Sequence, residues 1–166
     1  FDDLLKAARK SPGKLSIASA GNGSSPHLTA EKFQREAGIS LVHVAYKGSG
    51  PAITDTIGGQ VDMVFSGLPS VTELLKSGRL RAIAIASAQR SPFAPDVPTM
   101  SEAGVPGFES LISQGLFAPA GTPAPTVARI NAAINQIMNS KELAVRLQQL
   151  RVEPHTLSAA EYEAWL

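Results

Sequence analysis

Three times between Leu15 and Leu75 the chain runs from a short apolar segment into a glycine-rich turn, and from there into a helix-like segment. Leu15 to Ala18, Leu41 to Ala45 and Val61 to Phe65 are the apolar segments. Their turns lie near residues 19–25, 46–50 and 66–69. Strands alternating with helices build a parallel sheet, and the near-continuous apolar run Leu80 to Ala86 suits a strand covered on both faces. The expectation is an α/β fold: a doubly wound, mostly parallel sheet flanked by helices, with a C-terminal helical segment. In open sheets of this kind ligands bind beyond the carboxyl ends of the strands. All three glycine turns fall on that edge, which makes the edge the candidate site.

The first turn, Ser19-Ala20-Gly21-Asn22-Gly23-Ser24-Ser25-Pro26-His27, carries the sharpest chemistry. A helix N-terminus presents unpaired N–H groups and a partial positive charge, so it suits an anion. Ser25 is expected as the N-cap, Pro26 at the first helical position, and Gly38 as the stop. A plain strand-to-helix connection is the alternative. His27 either turns a ring nitrogen toward a bound oxyanion or covers the first helical turn. Pro26 stands where a dinucleotide fingerprint needs its third glycine, and the next strand closes in Tyr46 rather than in an acidic residue. A dinucleotide site is therefore disfavoured. Tyr46-Lys47-Gly48 adds a cation and a phenol; Lys47 is either simply solvated or part of the anion seat. Phe65 and Ser66, at the end of the third apolar segment, are expected to floor the pocket. Asp62, at the start of that segment, is expected to be structural, as is His43 in mid-strand.

Composition removes several function classes. The 166 residues carry a net charge of +1, and Lys and Arg never run longer than a pair, so no clustered basic face for nucleic acid is expected. Without cysteine there is no disulfide, thiolate metal site or thiol nucleophile. No His pair has metal-ligand spacing, and no metal or cofactor is expected. No apolar run approaches the roughly 20 residues that cross a bilayer. The chain starts at Phe1 and stops at Leu166 within an amphipathic segment, so a fragment or processed product is expected.

Elsewhere, Asp2 to Lys10 has helical spacing, and Leu80 to Ala86 reads as a fourth strand. Residues 87–110 are loop-rich, and Leu111 to Ala118 is a further candidate strand. Val127, Ile130, Ile134 and Ile137 mark a helix, Leu143, Leu147 and Leu150 a second, and Ser158 with Glu161 the capping box of a third.

An ordered series of blocks resembles one family. It comprises Ser11-Pro12-Gly13-Lys14-Leu15, Gly21-Asn22-Gly23-Ser24 with His27-Leu28, Tyr46-Lys47-Gly48 with Pro51-Ala52, and Gly59-Gln60-Val61-Asp62. Arg79-Leu80-Arg81-Ala82, Pro95-Asp96-Val97-Pro98-Thr99, Glu102-Ala103-Gly104 and Ala118-Pro119-Ala120-Gly121-Thr122-Pro123 follow in order. These are similar to the extracytoplasmic solute receptors of tripartite tricarboxylate transporters, or Bug-type receptors. The resemblance implies a type II periplasmic binding protein, a cleft between two α/β domains that holds a small organic carboxylate, delivery to membrane transporter subunits, a periplasmic location and no catalysis. It implies a second domain over residues 1–112 and, over 113–166, a crossover with helices that complete a first domain lying before Phe1. Ser19, Gly21, Gly23, Ser24, Ser25, Tyr46, Lys47 and Gly48 would face the ligand, with His27 and Asp62 matching family positions. Ser113 stands where the family often has Trp, and Arg151 where glycine is common. The helices after Pro125 carry an apolar face, for which a homodimer or a swapped segment is the expected cover. Two other functions compete: the effector-binding domain of a transcription regulator, and a serine-dependent hydrolase using Ser24 or Ser25 with His27.

Overall fold

Ile17 and Ser19 point to one face of a strand and Ser16 and Ala18 to the other, and that alternation organises the molecule. The computed structural model describes residues 1–112 and 115–165. It divides into two compact units, Phe1–Ser113 and Gln114–Leu166. In the first, α1 (Asp2–Lys10) precedes β1 (Ser16–Ser19), α2 (Ser25–Ala37), β2 (Val42–Ala45), α3 (Ser49–Ile57), β3 (Met63–Val64) and α4 (Leu68–Lys76). The three strands are parallel in the order β2-β1-β3, with Ile17 opposite both His43 and Met63.

Helices cover both faces. Ile17 joins Ala30, Phe33 and Ala37 of α2 and Leu5 and Ala8 of α1 in the larger core cluster. Ala18 packs instead with Ala52 of α3 and Val61. Phe33 anchors the larger cluster, with the rings of Phe1, Phe65 and Phe108 at 5.9, 6.0 and 6.3 Å. The helix ends follow local chemistry. Acidic Asp2 and Asp3 start α1 and basic Arg9 and Lys10 end it, matching the helix dipole. Gly38 closes α2 in the left-handed conformation, as expected.

Asp62 closes the end of the sheet opposite the glycine turns. One carboxylate oxygen accepts from both the Ser16 N–H and the Ser16 hydroxyl at 2.7 Å, and Asp62 N–H donates back to Ser16 Oγ at 3.0 Å. Asp62→Ala is expected to lower the stability of the first unit by about 1–2 kcal/mol, since the bonds are charge-assisted but exposed. Urea unfolding followed by far-ultraviolet circular dichroism measures it. A loss below about 0.3 kcal/mol, ordinary for a surface change, would show that the clasp is idle.

Two strand expectations are corrected. Residues 80–86 form no strand beside β3; Ile85 alone bridges Thr99. The backbone of Ile85 is committed elsewhere, its N–H to Pro98 O at 2.9 Å and its carbonyl to Met100 N–H at 2.8 Å. Among the described residues of 111–118 there is also no strand. Ser113 lies outside the described residues. The loop-rich stretch 87–110 does more than connect, because its Met100, Val105 and Phe108 are core residues. Thr29 Oγ1 to Ser110 Oγ, and Lys32 Nζ to Glu109 O, both at 2.6 Å, tie it to α2.

The second unit holds α5 (Ala124–Met138), α6 (Lys141–Leu150) and α7 (Ala159–Trp165). Asn131 and Asn135, one turn apart on α5, both donate to Leu157 O at 3.0 and 3.1 Å. The capping box at α7 forms: Ser158 N–H reaches Glu161 at 2.8 Å and Glu161 N–H reaches Ser158 Oγ at 3.2 Å. Those bonds hold the Glu161 carboxyl below its ordinary pKa. Arg151 ends α6 at φ +56, the left-handed conformation that glycine adopts most readily.

Candidate functional site

The strand order places the crevice. From β1 the chain moves to β2 on one side, then crosses back to β3 on the other, so the direction of winding reverses between β1 and β3. Ligands of open parallel sheets sit at such a reversal, outside the carboxyl ends of the strands. The turns after β1, β2 and β3 lie at that edge.

The first two turns are knitted together. Tyr46 N–H donates to Ser19 O and Gly48 N–H to Ala20 O, both at 3.0 Å. Gly21 sits at φ +135, and a Cβ there would lie 3.2 Å from Tyr46 O. Only glycine allows this approach together with that backbone conformation. Ser24 closes the turn by donating from its hydroxyl to Gly21 O at 2.6 Å.

That bond corrects the expected cap. The N-cap of α2 is Ser24, one residue earlier than expected, and its side chain makes no capping bond because Gly21 O engages it. Ser25 is the first helical residue and is exposed. As first-turn groups, the N–H of Ser25 and of His27 have no acceptor within the helix, and Pro26 has no N–H to offer.

Two histidines brace the turn. Gly23 N–H donates to His27 Nδ1 at 3.0 Å, and His27 Nε2 lies 3.6 Å from the Glu31 carboxylate. The His27 ring stacks on His43, with centroids 4.0 Å apart and planes 12° from parallel. His43 Nε2 lies 2.6 Å from the hydroxyl of fully buried Ser19, which in turn contacts both Gly21 N and Gly21 O at 3.2 Å. Burial, then the neighbouring His27, hold the His43 pKa below its ordinary value, with Glu31 partly opposing them.

The second turn splits its roles. Tyr46 donates its hydroxyl to Asp55 of α3 at 2.8 Å, and that bond raises the phenol pKa. Lys47 is exposed and has no ion-pair partner among the described residues. Gly48, at φ +113, is the N-cap of α3. After β3, Phe65 turns inward, meeting Phe33 and lining an apolar cavity of about 60 Å3 with Phe1, Leu4, Met63 and Ile83. The Ser66 hydroxyl is buried with no hydrogen-bond partner among the described residues.

The structure therefore brings Ser19, Gly21, Gly23, Ser24, Ser25, His27, Tyr46, Lys47 and Gly48 into one pair of joined turns. It sends the Phe65 ring into the core. His43 and Asp55 belong to the same assembly and were missed as parts of it. The signal for His43 was its strand parity, which puts it on the α2 face beside Ser19.

The arrangement offers hydrogen-bond donors and a cation. The Ser24 hydroxyl is spent on Gly21 and His27 Nδ1 on Gly23, so the hydrolase pairing of Ser24 with His27 is not formed. Ser19 does meet a histidine, but it is fully buried. No group of His, Asp or Glu able to hold a metal occurs among the described residues. Among them, too, no helix is long and apolar enough to cross a membrane.

Comparison with known proteins agrees with this architecture. Residues 1–166 match the family model described as tripartite tricarboxylate transporter family receptor. A protein of Pseudomonas sp. (strain P51), named for the tcbD-tcbE intergenic region, is 45% identical over 151 residues, covering 90% of this chain and 45% of its own length. Protein BugT of Bordetella pertussis is 39% identical over 141 residues, covering 85% and 43%. The chain thus spans less than half of either relative. Among solved structures, R. palustris Rpa4515 with adipate superposes with a TM-score of 0.87 at 32% identity, covering 99% of this chain and 55% of that one. MatC (Rpa3494) from Rhodopseudomonas palustris with bound malate gives 0.78 at 32% identity, covering 90% and 51%.

Proposed function

The chain belongs to the tripartite tricarboxylate transporter receptor family, and from that premise we propose that it forms one wall of a cleft that binds a small organic carboxylate. The observation that carries this reading is the joining of the β1 and β2 turns through Gly48 N–H and Ala20 O, at the carboxyl end of a parallel sheet. The first-turn N–H groups of α2, the exposed Ser25 hydroxyl and Lys47 then supply donors and positive charge for a carboxylate. Gly21, Gly23, Ser24 and Gly48 shape the turns. Ser19, His27 and Tyr46 hold them in shape, while the Ser66 hydroxyl at the end of β3 is buried and the Phe65 ring packs into the core instead of flooring the site. Relatives with adipate and malate bound support the ligand class.

On this reading residues 1–112 are a ligand-binding domain, and 113–166 are a crossover with helices belonging to a second domain. The protein works in the periplasm, hands its ligand to membrane transporter subunits and catalyses no reaction. The half-exposed apolar faces of α5, α6 and α7 are covered by that second domain, or by another copy of the chain. Isothermal titration of the whole gene product against malate, adipate and other dicarboxylates tests the ligand class. Saturable heat with at least one dicarboxylate is expected. Binding of neutral sugars with no response to any carboxylate would overturn the proposal.

A further inference from the structure

The His27–His43 stack braces the β1 turn, His27 through the Gly23 backbone and His43 through the Ser19 hydroxyl. A backbone N–H can only donate, so the 3.0 Å contact from Gly23 requires a lone pair on His27 Nδ1. The ring proton of His27 then sits on Nε2, the atom facing Glu31. On the other side of the stack, His43 Nε2 holds Ser19 Oγ, which bridges to both backbone polar atoms of Gly21. Gly21 and Gly23, the two glycines that shape the turn, are thus each tied to a histidine.

We propose that the stacked His27–His43 pair is a proton-sensitive latch: two positioning residues that keep the anion-binding turn in shape only while His27 is neutral. Protonating Nδ1 turns an acceptor into a donor facing the Gly23 donor, so the bond is lost and that N–H is released. Protonating both rings would also place two like charges face to face at 4.0 Å. The low proton affinity of His43 agrees with that cost.

The charged surroundings are sparse. On α2 only Glu31 faces the pair; Lys32 is turned to Glu36 and to Glu109 O. β1 and the 20–24 turn carry no titratable side chain, and β2 carries none besides His43. Lys47 is an exposed cation on the adjoining turn, and Asp55 is bonded to Tyr46. Glu31 partly opposes the lowering of the His43 pKa, and its side chain is 54% exposed and therefore screened.

The consequence for binding rests on the carboxylate reading above; the latch itself does not. The test is a pH titration of the 166-residue chain by nuclear magnetic resonance, following the Gly23 amide and both histidine ring protons. The Gly23 amide is expected to shift with the midpoint of the His27 ring. His27→Asn places a non-titrating acceptor near the Nδ1 position and should abolish that amide transition while leaving the Gly23 amide in its high-pH environment. His43→Gln keeps an acceptor and donor toward Ser19 and should simplify the His27 titration to that of a lone ring. A Gly23 amide indifferent to His27 protonation, or one that titrates unchanged in His27→Asn, would overturn the proposal. Malate titrations of the whole gene product at about pH 8 and about pH 5 then test the coupling. The affinity should fall about tenfold more in the wild type than in His27→Asn, which sees the same malate ionisation. If malate binds neither protein, the carboxylate reading loses support while the amide result still decides the latch.

Discussion

Gly21→Val is expected to weaken the proposed carboxylate binding while leaving the sheet folded. The new side chain must adopt φ +135, and its Cβ starts 3.2 Å from a backbone carbonyl, Tyr46 O, that has no flexible end to swing away. Such strain amounts to about 1–3 kcal/mol, and a branched side chain lies at its upper end. The chain can relieve it only by reopening the turn, which breaks the Ser24 bond to Gly21 and the seam between Gly48 and Ala20. A carboxylate affinity lower by roughly tenfold to a hundredfold is expected. Isothermal titration measures it, with circular dichroism reporting the fold. Affinity within about twofold of the wild type would mean that the turn geometry is not what the ligand reads.

Phe33→Ala should be the most damaging single core change. Phe33 is 2% exposed, meets three other aromatic rings, and lines the apolar cavity, so truncation enlarges a void that is already there. Losses for such truncations are about 3–5 kcal/mol, against a total of about 5–15 kcal/mol for a typical domain. The first unit should unfold at markedly lower urea, or not fold at all. A loss under about 1.5 kcal/mol, the range of volume-conserving swaps, would mean that the surrounding rings collapse into the space.

Much of the scaffold could be read along the chain. Helix ends at Gly38 and at Ser158 depend on residues within a few positions, and both formed as expected. The parallel strands followed from short apolar runs between helical ones. The fourth strand did not, because Ile85 had a competing partner thirteen to fifteen residues on, at Pro98 and Met100. Apolar spacing reports that a segment is buried, but not which backbone satisfies it. The stretch 87–110 misled in the opposite sense: its prolines and glycines signal a loop, while Met100, Val105 and Phe108 between them complete the core.

The same division runs through the candidate site. Glycines at 21, 23 and 48, a helix entrance close to Ser25 and a cation at Lys47 are properties of local sequence, and they mark this edge as the candidate site, although the entrance itself lies one residue earlier, at Ser24. Which groups face outward is not local. His43 lies sixteen residues from His27, and the two rings stack because β2 pairs in register with β1 under α2. Tyr46 is drawn back by Asp55, Ser24 by Gly21, and Phe65 by Phe33. Local sequence chooses turns and helix ends because their energies depend on neighbouring residues alone. The partners of each side chain were assigned by strand register and helix packing, which join residues far apart in the chain and turn a list of polar residues into a braced wall.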